Sequence, residues 1–214
     1  MSGLFITFEG IEGSGKTTQN QKLAAHLQEL GQAIIQTREP GGTSFGTTVR
    51  QWVLDPNNHF SHPLTEVLLF YADRLEHLAT VIEPALADGK TVLCDRYVDS
   101  TWAYQVGGRR VSPQVIDHLN DVAIRKPDLT ILLDISEEEG IRRAKKRAQL
   151  DRFEQEEMAF HQRVRQAYLD RAAKDPDRIV VISVDRLSAD EVFEAVRLEV
   201  IPKIQKLIKR EGGE

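Results

Sequence analysis

The sequence predicts an α/β protein with a parallel five-stranded sheet that is covered by helices on both faces. The first observation is that short apolar runs alternate along the chain with longer amphipathic stretches. The second is that the apolar runs are nearly continuous, which is typical of strands buried on both faces. The third is a glycine-rich segment directly after the first run. Together these features favour a doubly wound sheet in a single domain.

Five apolar runs predict the strands, and six stretches of helical periodicity predict the helices between them. The strands are expected at residues 4–8, 33–37, 91–94, 129–133 and 179–184. The helices are expected at about 16–30, 63–78, 113–124, 136–148, 155–173 and 189–209. No internal repeat or linker divides the sequence, so we expect one domain over residues 1–214.

Composition narrows the class of protein. The 214 residues are enough for one α/β domain with a substantial core. A formal charge of -5 argues against a protein that mainly binds nucleic acid, whose phosphates demand a basic face. The single cysteine, Cys94, cannot form an internal disulfide, which suits a reducing compartment. No apolar run is long enough for a membrane span, and we expect a cytoplasmic protein with no nucleic-acid or membrane partner.

Residues 10–17, Gly-Ile-Glu-Gly-Ser-Gly-Lys-Thr, match the P-loop pattern G-x-x-x-x-G-K-[ST]. The segment lies between a predicted strand and a predicted helix, where backbone N–H groups converge on phosphate oxygens. Lys16 would reach the β- and γ-phosphates of ATP, and the Thr17 hydroxyl would ligate Mg²⁺. We therefore expect a P-loop NTPase fold. The predicted ATP-binding residues are Gly10, Ile11, Glu12, Gly13, Ser14, Gly15, Lys16, Thr17 and Thr18.

A P-loop also occurs in nucleotide-driven switches and in ATPases coupled to a partner protein. A GTPase should carry an Asn-Lys-x-Asp segment for guanine, and the sequence has none. No Asp-x-x-Gly switch segment follows a predicted strand either, and Asp88-Gly89 predicts a turn. A phosphotransferase is therefore the favoured interpretation, and a partner-coupled ATPase stays as the alternative.

Charged residues follow the predicted strands at the edge of the sheet where ligands bind. Asp95 is suited to hold Mg²⁺ or to receive the acceptor proton, and Arg96 is suited to a phosphate. An ordinary salt bridge is the simpler alternative for this pair. Arg38 follows the second strand and points to the same edge, with a solvated loop charge as the simpler alternative. Glu12 lies among the phosphate-binding residues, where it would orient an arginine or accept a hydrogen bond from a sugar hydroxyl.

Two further features are ambiguous by themselves. Phe70 and Arg74 are four residues apart on a predicted helix, so they share a face that would hold a nucleobase. Spacing alone favours Phe70 as a core residue. A polar run after Asp95 predicts, unaided, only the start of a helix with exposed side chains. It contains Ser100, Thr101, Tyr104 and Gln105.

Residues 142–153 are strongly basic and form either a solvated helix face or a mobile lid. The P-loop has no arginine among its variable positions, so the charge of the transition state must be met from elsewhere. This favours a lid with an arginine that closes over the transferring phosphoryl group.

Taken together, the sequence resembles the thymidylate kinase family over nearly its whole length. The P-loop is shared by many kinases, but other segments are far more specific to that family. They are Arg-Glu-Pro-Gly-Gly-Thr at 38–43, Ala-Asp-Arg at 72–74, Asp-Arg-Tyr at 95–97, Ala-Tyr-Gln at 103–105 and Leu-Asp-Arg at 150–152. Their order is also that of the family.

The resemblance implies transfer of the ATP γ-phosphoryl group to dTMP with Mg²⁺, giving dTDP and ADP for dTTP synthesis. Phe70 would stack on thymine, and Arg74 would bond its O4 edge. The implied dTMP site contains Glu12, Arg38, Phe70, Arg74, Arg96, Ser100, Thr101, Tyr104 and Gln105. The implied metal residues are Thr17 and Asp95.

The resemblance also implies a catalytic set and a quaternary structure. The chain is similar to the bacterial subtype with a lid arginine, for which Arg152 is the first candidate and Arg147 the second. The family usually forms homodimers through helices that flank the acceptor site. Another kinase of the same fold is the nearest rival, although a deoxynucleoside kinase typically has Glu-Arg-Ser where this chain has residues 95–97. The implied catalytic residues are Lys16, Asp95, Arg96, Arg152 and Arg147.

Overall fold

The sheet has five parallel strands in the order β2-β3-β1-β4-β5. The computed structural model describes residues 3–147 and 150–211, without the side chains of residues 122, 123, 147 and 209–211. The predicted parallel sheet is confirmed, and most strands end one residue later than predicted. The strands are β1 (Phe5–Glu9), β2 (Ile34–Arg38), β3 (Thr91–Asp95), β4 (Leu129–Asp134) and β5 (Ile179–Ser183).

The six predicted helices are present, and the described residues add three further α-helices and two π-helical segments. One segment, Leu78–Ile82, joins the helix that ends at His77 to the helix that begins at Glu83. The other, Trp102–Gly108, continues the helix that ends at Thr101. In the described residues the α-helices are α1 (Lys16–Glu29), α2 (Ser44–Leu54), α3 (Pro63–His77), α4 (Glu83–Ala87), α5 (Val98–Thr101), α6 (Pro113–Ala123), α7 (Glu137–Arg147), α8 (Met158–Lys174) and α9 (Ala189–Glu211). None of them combines the length and the apolar run that a bilayer crossing requires.

The prediction was wrong at three places, one of which is the five-residue helix α4, which no predicted stretch covers. The prediction also missed α2. The N-terminus of this helix is capped by Thr43, whose hydroxyl accepts a hydrogen bond from the Gly46 N–H at 2.9 Å. Glycines and β-branched residues in this segment hide the helix from a propensity argument. The polar run after Asp95 was expected to be exposed, yet Thr101 and Gln105 are buried. The π-helical segment packs closely against α8, and this contact is invisible to sequence periodicity.

Both faces of the sheet are covered, as continuous apolar strands require. Along β3, Val92 and Cys94 belong to a core cluster with Leu86 of α4. Leu93, which points to the other face, belongs to the main core with Leu23 of α1. The buried strands therefore form a rigid base for the residues at their carboxyl ends.

The order of the strands creates a crevice at the end of β1. From β1 the chain crosses to β2 and β3 on one side, whereas β4 and β5 lie on the other side. Ligands bind at such a switch point in doubly wound sheets. In the parallel register Phe8 pairs with Asp95 and Glu9 with Leu132, so the P-loop starts in this crevice.

Candidate active site

The P-loop joins β1 to α1 through a backbone that requires glycine. Gly10 and Gly15 have φ angles of 137° and 92°, in the left-handed region that favours glycine. Lys16 is buried, and its Nζ donates to the carbonyl oxygens of Gly10 at 3.0 Å and Ile11 at 2.9 Å. Burial and then the charge of Arg96 lower the pKa of Lys16 to about 8. The loop is thus shaped to receive an anion next to a lysine.

A cleft of about 520 Å³ opens beside the P-loop at the carboxyl edge of the sheet. The side chains predicted for ATP and for dTMP meet on its walls. Of the predicted loop residues, Gly10, Ile11 and Ser14 lie behind the lining. The predicted residues that line the cleft are Glu12, Gly13, Gly15, Lys16, Thr17, Thr18, Arg38, Phe70, Arg74, Asp95, Arg96, Ser100, Thr101, Tyr104 and Gln105.

The two side chains predicted to hold a metal ion are in direct contact. The Thr17 hydroxyl donates to Asp95 Oδ2 at 2.6 Å, across the gap between α1 and β3. A hydroxyl and a carboxylate are oxygen ligands of the kind that Mg²⁺ accepts, with substrate phosphates and water completing its shell. The residues therefore fit this ion.

Arg96 lies where the P-loop meets the rest of the cleft. Its Nη1 donates to Gly10 O at 3.1 Å, to the Ser100 hydroxyl at 3.2 Å and to the Tyr168 hydroxyl at 3.3 Å. Its Nη2 donates to Glu12 Oε1 at 2.9 Å. The guanidinium group is thus oriented by groups from the P-loop, α5 and α8 at once.

Glu12 is an ionised carboxylate at the boundary between loop and cleft. Burial alone would raise its pKa, but Arg96, Lys16 and a hydrogen bond from Tyr104 outweigh burial and lower it. The Tyr104 hydroxyl donates to Oε1 at 2.6 Å. Oε2 is buried and accepts no hydrogen bond from the described residues. The pair with Arg96 matches one of the two roles predicted for Glu12, the orientation of an arginine, and Oε2 keeps lone pairs that would suit the other role.

Arg74 is buried on the opposite wall and is held by Glu39. Its Nε donates to Glu39 Oε2 at 2.7 Å, and its Nη2 donates to the Thr101 hydroxyl at 3.0 Å. His77 Nδ1 lies 3.0 Å from the other oxygen of Glu39. Arg74 Nη1 has no hydrogen-bond partner among the described residues. With Phe70 on the same helix and also in the cleft wall, this free donor suits a carbonyl of a planar ring.

Several residues of the site were missed by sequence reasoning. Glu9 ends β1 and Glu39 directly follows β2, so their positions signalled a role, but their partners are too distant in sequence to predict. Arg50 lies on the helix that was not predicted, and it lines the cleft while its Nη1 donates to Pro40 O at 3.1 Å. Tyr168 lies on α8 and gave no signal that separates it from the core.

The predicted lid arginine Arg152 does not line the cleft. Its guanidinium group donates to Glu66 Oε2 and to Val53 O, the latter at 2.8 Å. It also lies over the rings of Phe153 at 4.6 Å and Phe60 at 5.1 Å. Arg152 is thus engaged behind the wall that Phe153 presents to the cleft. The second candidate, Arg147, ends α7, and its side chain is outside the described part of the structure.

Helix α7 lies directly against the P-loop, and a glycine makes this possible. A Cβ atom on Gly140 would be 2.6 Å from the carbonyl oxygen of Glu12, so a larger residue would push the helix away. Ala144, one turn further along, lines the cleft. The adjacent Arg142 and Arg143 both pair with Glu139 instead, as charges on a helix surface do. The end of α7 therefore runs along the P-loop side of the cleft.

Comparisons with known proteins agree with this geometry. The model of the family described as thymidylate kinase matches residues 8–196. A thymidylate kinase of Desulfosudis oleivorans is 45% identical over 95% of this chain and 100% of its own length. One of Pseudomonas putida (strain GB-1) is 46% identical over 100% of both chains. The crystal structure of thymidylate kinase from Ehrlichia chaffeensis is similar with a TM-score of 0.75 at 37% identity, over 96% of this chain and 100% of that one.

Proposed function

Because the chain belongs to the thymidylate kinase family, we propose that its cleft holds ATP and dTMP end to end with Arg96 between them. The protein is an ATP-dependent nucleoside-monophosphate kinase that transfers the γ-phosphoryl group of ATP to dTMP, giving dTDP and ADP. One observation carries the proposed arrangement. Arg96 donates both to the P-loop, at Gly10 and Glu12, and to hydroxyl groups of α5 and α8, at Ser100 and Tyr168.

On the donor side, the P-loop backbone and Lys16 would hold the ATP phosphates. Lys16 Nζ now donates to loop carbonyls, and a bound phosphate would draw it away because an anion is the stronger acceptor. Thr17 and Asp95 would hold Mg²⁺ together with phosphate oxygens and water. When bound, this ion neutralises charge on the transferring phosphoryl group.

On the acceptor side, the charges of Arg38, Arg50 and Arg96 would hold the dTMP phosphate. Phe70 would stack on thymine, and the free Nη1 of Arg74 would donate to its O4. The remaining predicted residues surround the sugar and the other base edges. Glu12 Oε2 would accept the 3′-hydroxyl, and Ser100, Thr101, Tyr104 and Gln105 would close the site around it.

The residues then perform the transfer mainly by position and charge. A phosphate oxygen of dTMP attacks the γ-phosphorus in line with the leaving oxygen of ADP. This oxygen is already ionised near neutral pH, so no strong general base is needed. Lys16, Arg96 and an arginine of residues 142–153 would neutralise the charge that spreads over the transferring group.

We propose that residues 1–214 form one domain, with residues 142–153 as its lid. We also propose that the enzyme works in the cytoplasm, where ATP is abundant and the thiol of Cys94 stays reduced.

A panel of acceptors tests the proposed function directly. In a coupled assay with ATP and Mg²⁺, we expect rapid ADP formation with dTMP and little with dCMP, AMP, GMP or thymidine. For dCMP and AMP the physical reason is that Arg74 donates to a carbonyl, whereas cytosine and adenine present an amino group at that position. Thymidine lacks the phosphate that Arg38, Arg50 and Arg96 would hold. Phosphorylation of thymidine but not of dTMP would contradict the proposal, and ATP hydrolysis without any acceptor would favour the partner-coupled ATPase.

Removal of Mg²⁺ with EDTA should abolish turnover in the same assay, because the ion would neutralise charge on the transferring phosphoryl group.

We also propose a homodimer, because α2 and α3 present an apolar surface beside the acceptor site. Phe45 and Trp52 on α2 are seven residues apart, and so are Leu68 and Leu75 on α3, which places each pair on one face of its helix. All four side chains are between 44% and 56% exposed. The two helices pack side by side. Exposed apolar side chains on two adjacent helices are typical of a subunit interface.

Replacing Trp52 with lysine is expected to convert the dimer to a monomer, because a buried interface cannot accommodate an unpaired charge. Light scattering after size-exclusion chromatography measures the mass. Leu198→Lys is the matched control, since Leu198 on α9 is 65% exposed and outside this patch. A Trp52→Lys protein that stays dimeric, or a wild-type protein that is monomeric, would contradict the proposed interface.

A further inference from the structure

Glu9, the last residue of β1, is completely buried among hydrogen-bond donors. Its Oε1 accepts from the Tyr97 N–H at 2.8 Å. Its Oε2 accepts from the Ser100 hydroxyl at 2.5 Å and from the Tyr168 hydroxyl at 3.0 Å. A buried carboxylate is costly unless its environment supplies such donors. Glu9 does not line the cleft, so direct contact with a substrate is not its role.

Each partner of Glu9 is directly connected to Arg96. Ser100 and Tyr168 are the two hydroxyls that accept from Arg96 Nη1. The two hydroxyl oxygens also lie 2.7 Å apart, so one hydroxyl can donate to the other while the second donates to Glu9. In either arrangement each oxygen keeps a lone pair that faces the guanidinium group. Tyr97 is the next residue in the chain, and its N–H fixes the peptide that follows Arg96. The carboxylate therefore sets both the backbone and the hydrogen-bond acceptors of this arginine.

The backbone of Arg96 needs such support. Its φ angle is 70°, in the left-handed region that non-glycine residues rarely adopt. This conformation costs free energy unless the surroundings hold it. Two bonds do so on either side, since the Arg96 N–H donates to Phe8 O at 2.9 Å and the Tyr97 N–H donates to Glu9. Both acceptors belong to the end of β1.

We propose that Glu9 is a positioning residue, which fixes Arg96 in the orientation that grips the acceptor phosphate by holding Tyr97, Ser100 and Tyr168. The inference rests on the proposed function, in which Arg96 contacts the phosphate of dTMP. It assigns no contact between Glu9 and either substrate.

The hydrogen-bond donors around Glu9 fit the ionised form of its carboxyl group. Burial and then the nearby Asp99 raise its pKa to about 7, while Ser100, Arg96 and Tyr168 favour the ionised form. An ionised carboxylate only accepts hydrogen bonds, and every described hydrogen-bond partner of Glu9 is a donor. A glutamine of the same shape would direct its amide N–H toward either Tyr97 N–H or the hydroxyls. In the second case a hydroxyl would turn its hydrogen toward the guanidinium group of Arg96.

The test compares dTMP with thymidine, which lacks the phosphate. Calorimetry of the full-length wild-type protein and of Glu9→Gln gives both dissociation constants. We expect Glu9→Gln to weaken dTMP binding about tenfold or more, as the loss of hydrogen bonds to a charged group does, and to leave thymidine binding nearly unchanged. The steady-state KM for ATP should also be unchanged. General damage to the fold would weaken both ligands alike, so the ratio of the two constants separates positioning from stability.

Three further variants make the outcome decisive. Tyr168→Phe removes only one link between Glu9 and Arg96 and should shift the ratio in the same direction, by less. It also carries the test if Glu9→Gln does not fold. Thr7→Val is the matched control, because Thr7 is a buried polar residue of β1 that bonds Thr130 and not Arg96. It should bind both ligands like the wild type.

Arg96→Ala separates the inference from its premise. If Arg96→Ala leaves the preference for dTMP over thymidine intact, the proposed function of Arg96 is wrong. If Arg96→Ala abolishes that preference while Glu9→Gln, or Tyr168→Phe in its place, retains it, Arg96 does grip the phosphate and the role of Glu9 is wrong. The inference is supported if Arg96→Ala abolishes the preference for dTMP over thymidine and if Glu9→Gln and Tyr168→Phe both reduce it.

Discussion

Replacing Lys16 with alanine is expected to lower kcat about a thousandfold, the upper range for removal of one donor that stabilises charge in a transition state. Its Nζ donates to carbonyl oxygens of the loop that would hold the β- and γ-phosphates, and no other lysine lines the cleft in the described residues. Burial holds the pKa of Lys16 at about 8 in the protein without nucleotide, and a bound phosphate would raise it. The charge is therefore complete when ATP is present at neutral pH. Rapid-quench measurement of a single turnover gives the rate of the chemical step.

Lys22 provides the control for this substitution. It lies on the same helix, but it pairs with Asp190 on the surface and is outside the cleft. Lys22→Ala should retain the wild-type kcat and KM. If Lys16→Ala instead kept the wild-type single-turnover rate and only raised the KM for ATP, Lys16 would bind the ground state and transition state equally.

The parts of the fold that depend on local pattern could be predicted from the sequence. The five strands are apolar enough to be buried on both faces, and β-α alternation then leaves little choice of architecture. The position of the site followed from the same argument, because parallel strands place Gly10, Arg38 and Asp95 at one edge. These three residues do meet around one cleft or directly behind its wall.

What could not be predicted depends on contacts between distant parts of the chain. Spacing favoured Phe70 as a core residue, and only the position of α3 beside the crevice puts it in the cleft wall. The orientation of Arg74 comes from Glu39, 35 positions earlier, and that of Arg96 comes from Glu9 and Tyr168 on two other elements. Likewise, the absence of a side chain at Gly140 matters only because α7 packs on the P-loop. None of these pairs has a signal in composition or periodicity.

Arginine substitutions in the lid are expected to give two opposite results. Sequence reasoning placed Arg152 before Arg147 as the residue that closes over the phosphoryl group. In the structure, however, Arg152 bonds Glu66 and Val53 O behind the cleft wall. Residue 147 follows Ala144 by one turn on the helix that contacts the P-loop. We therefore expect Arg147→Ala to lower kcat by about a thousandfold, as loss of a catalytic arginine does in phosphoryl transfer. Its dTMP dissociation constant should change little.

The expected result for Arg152→Ala is a loss of stability and not mainly of rate. Glu66 is buried, and without Arg152 its partners among the described residues are Gln105 and the more distant Arg109, whose Nε is 3.6 Å away. Breaking such a pair should cost about 3 kcal/mol of unfolding free energy, measurable by urea denaturation. Displacement of Gln105, which lines the cleft, should raise the KM for dTMP.

Measured together, the two variants identify the arginine that acts on the transferring group. A rate loss confined to Arg147→Ala, with a stability loss confined to Arg152→Ala, supports the assignment made from the structure. The reverse pattern, in which Arg152→Ala keeps its stability and loses its rate, would mean that the ion pair with Glu66 opens during the catalytic cycle. In that case the lid rearranges by releasing Arg152 from Glu66, and the energy of ATP and dTMP binding has to exceed the cost of leaving Glu66 with weaker partners.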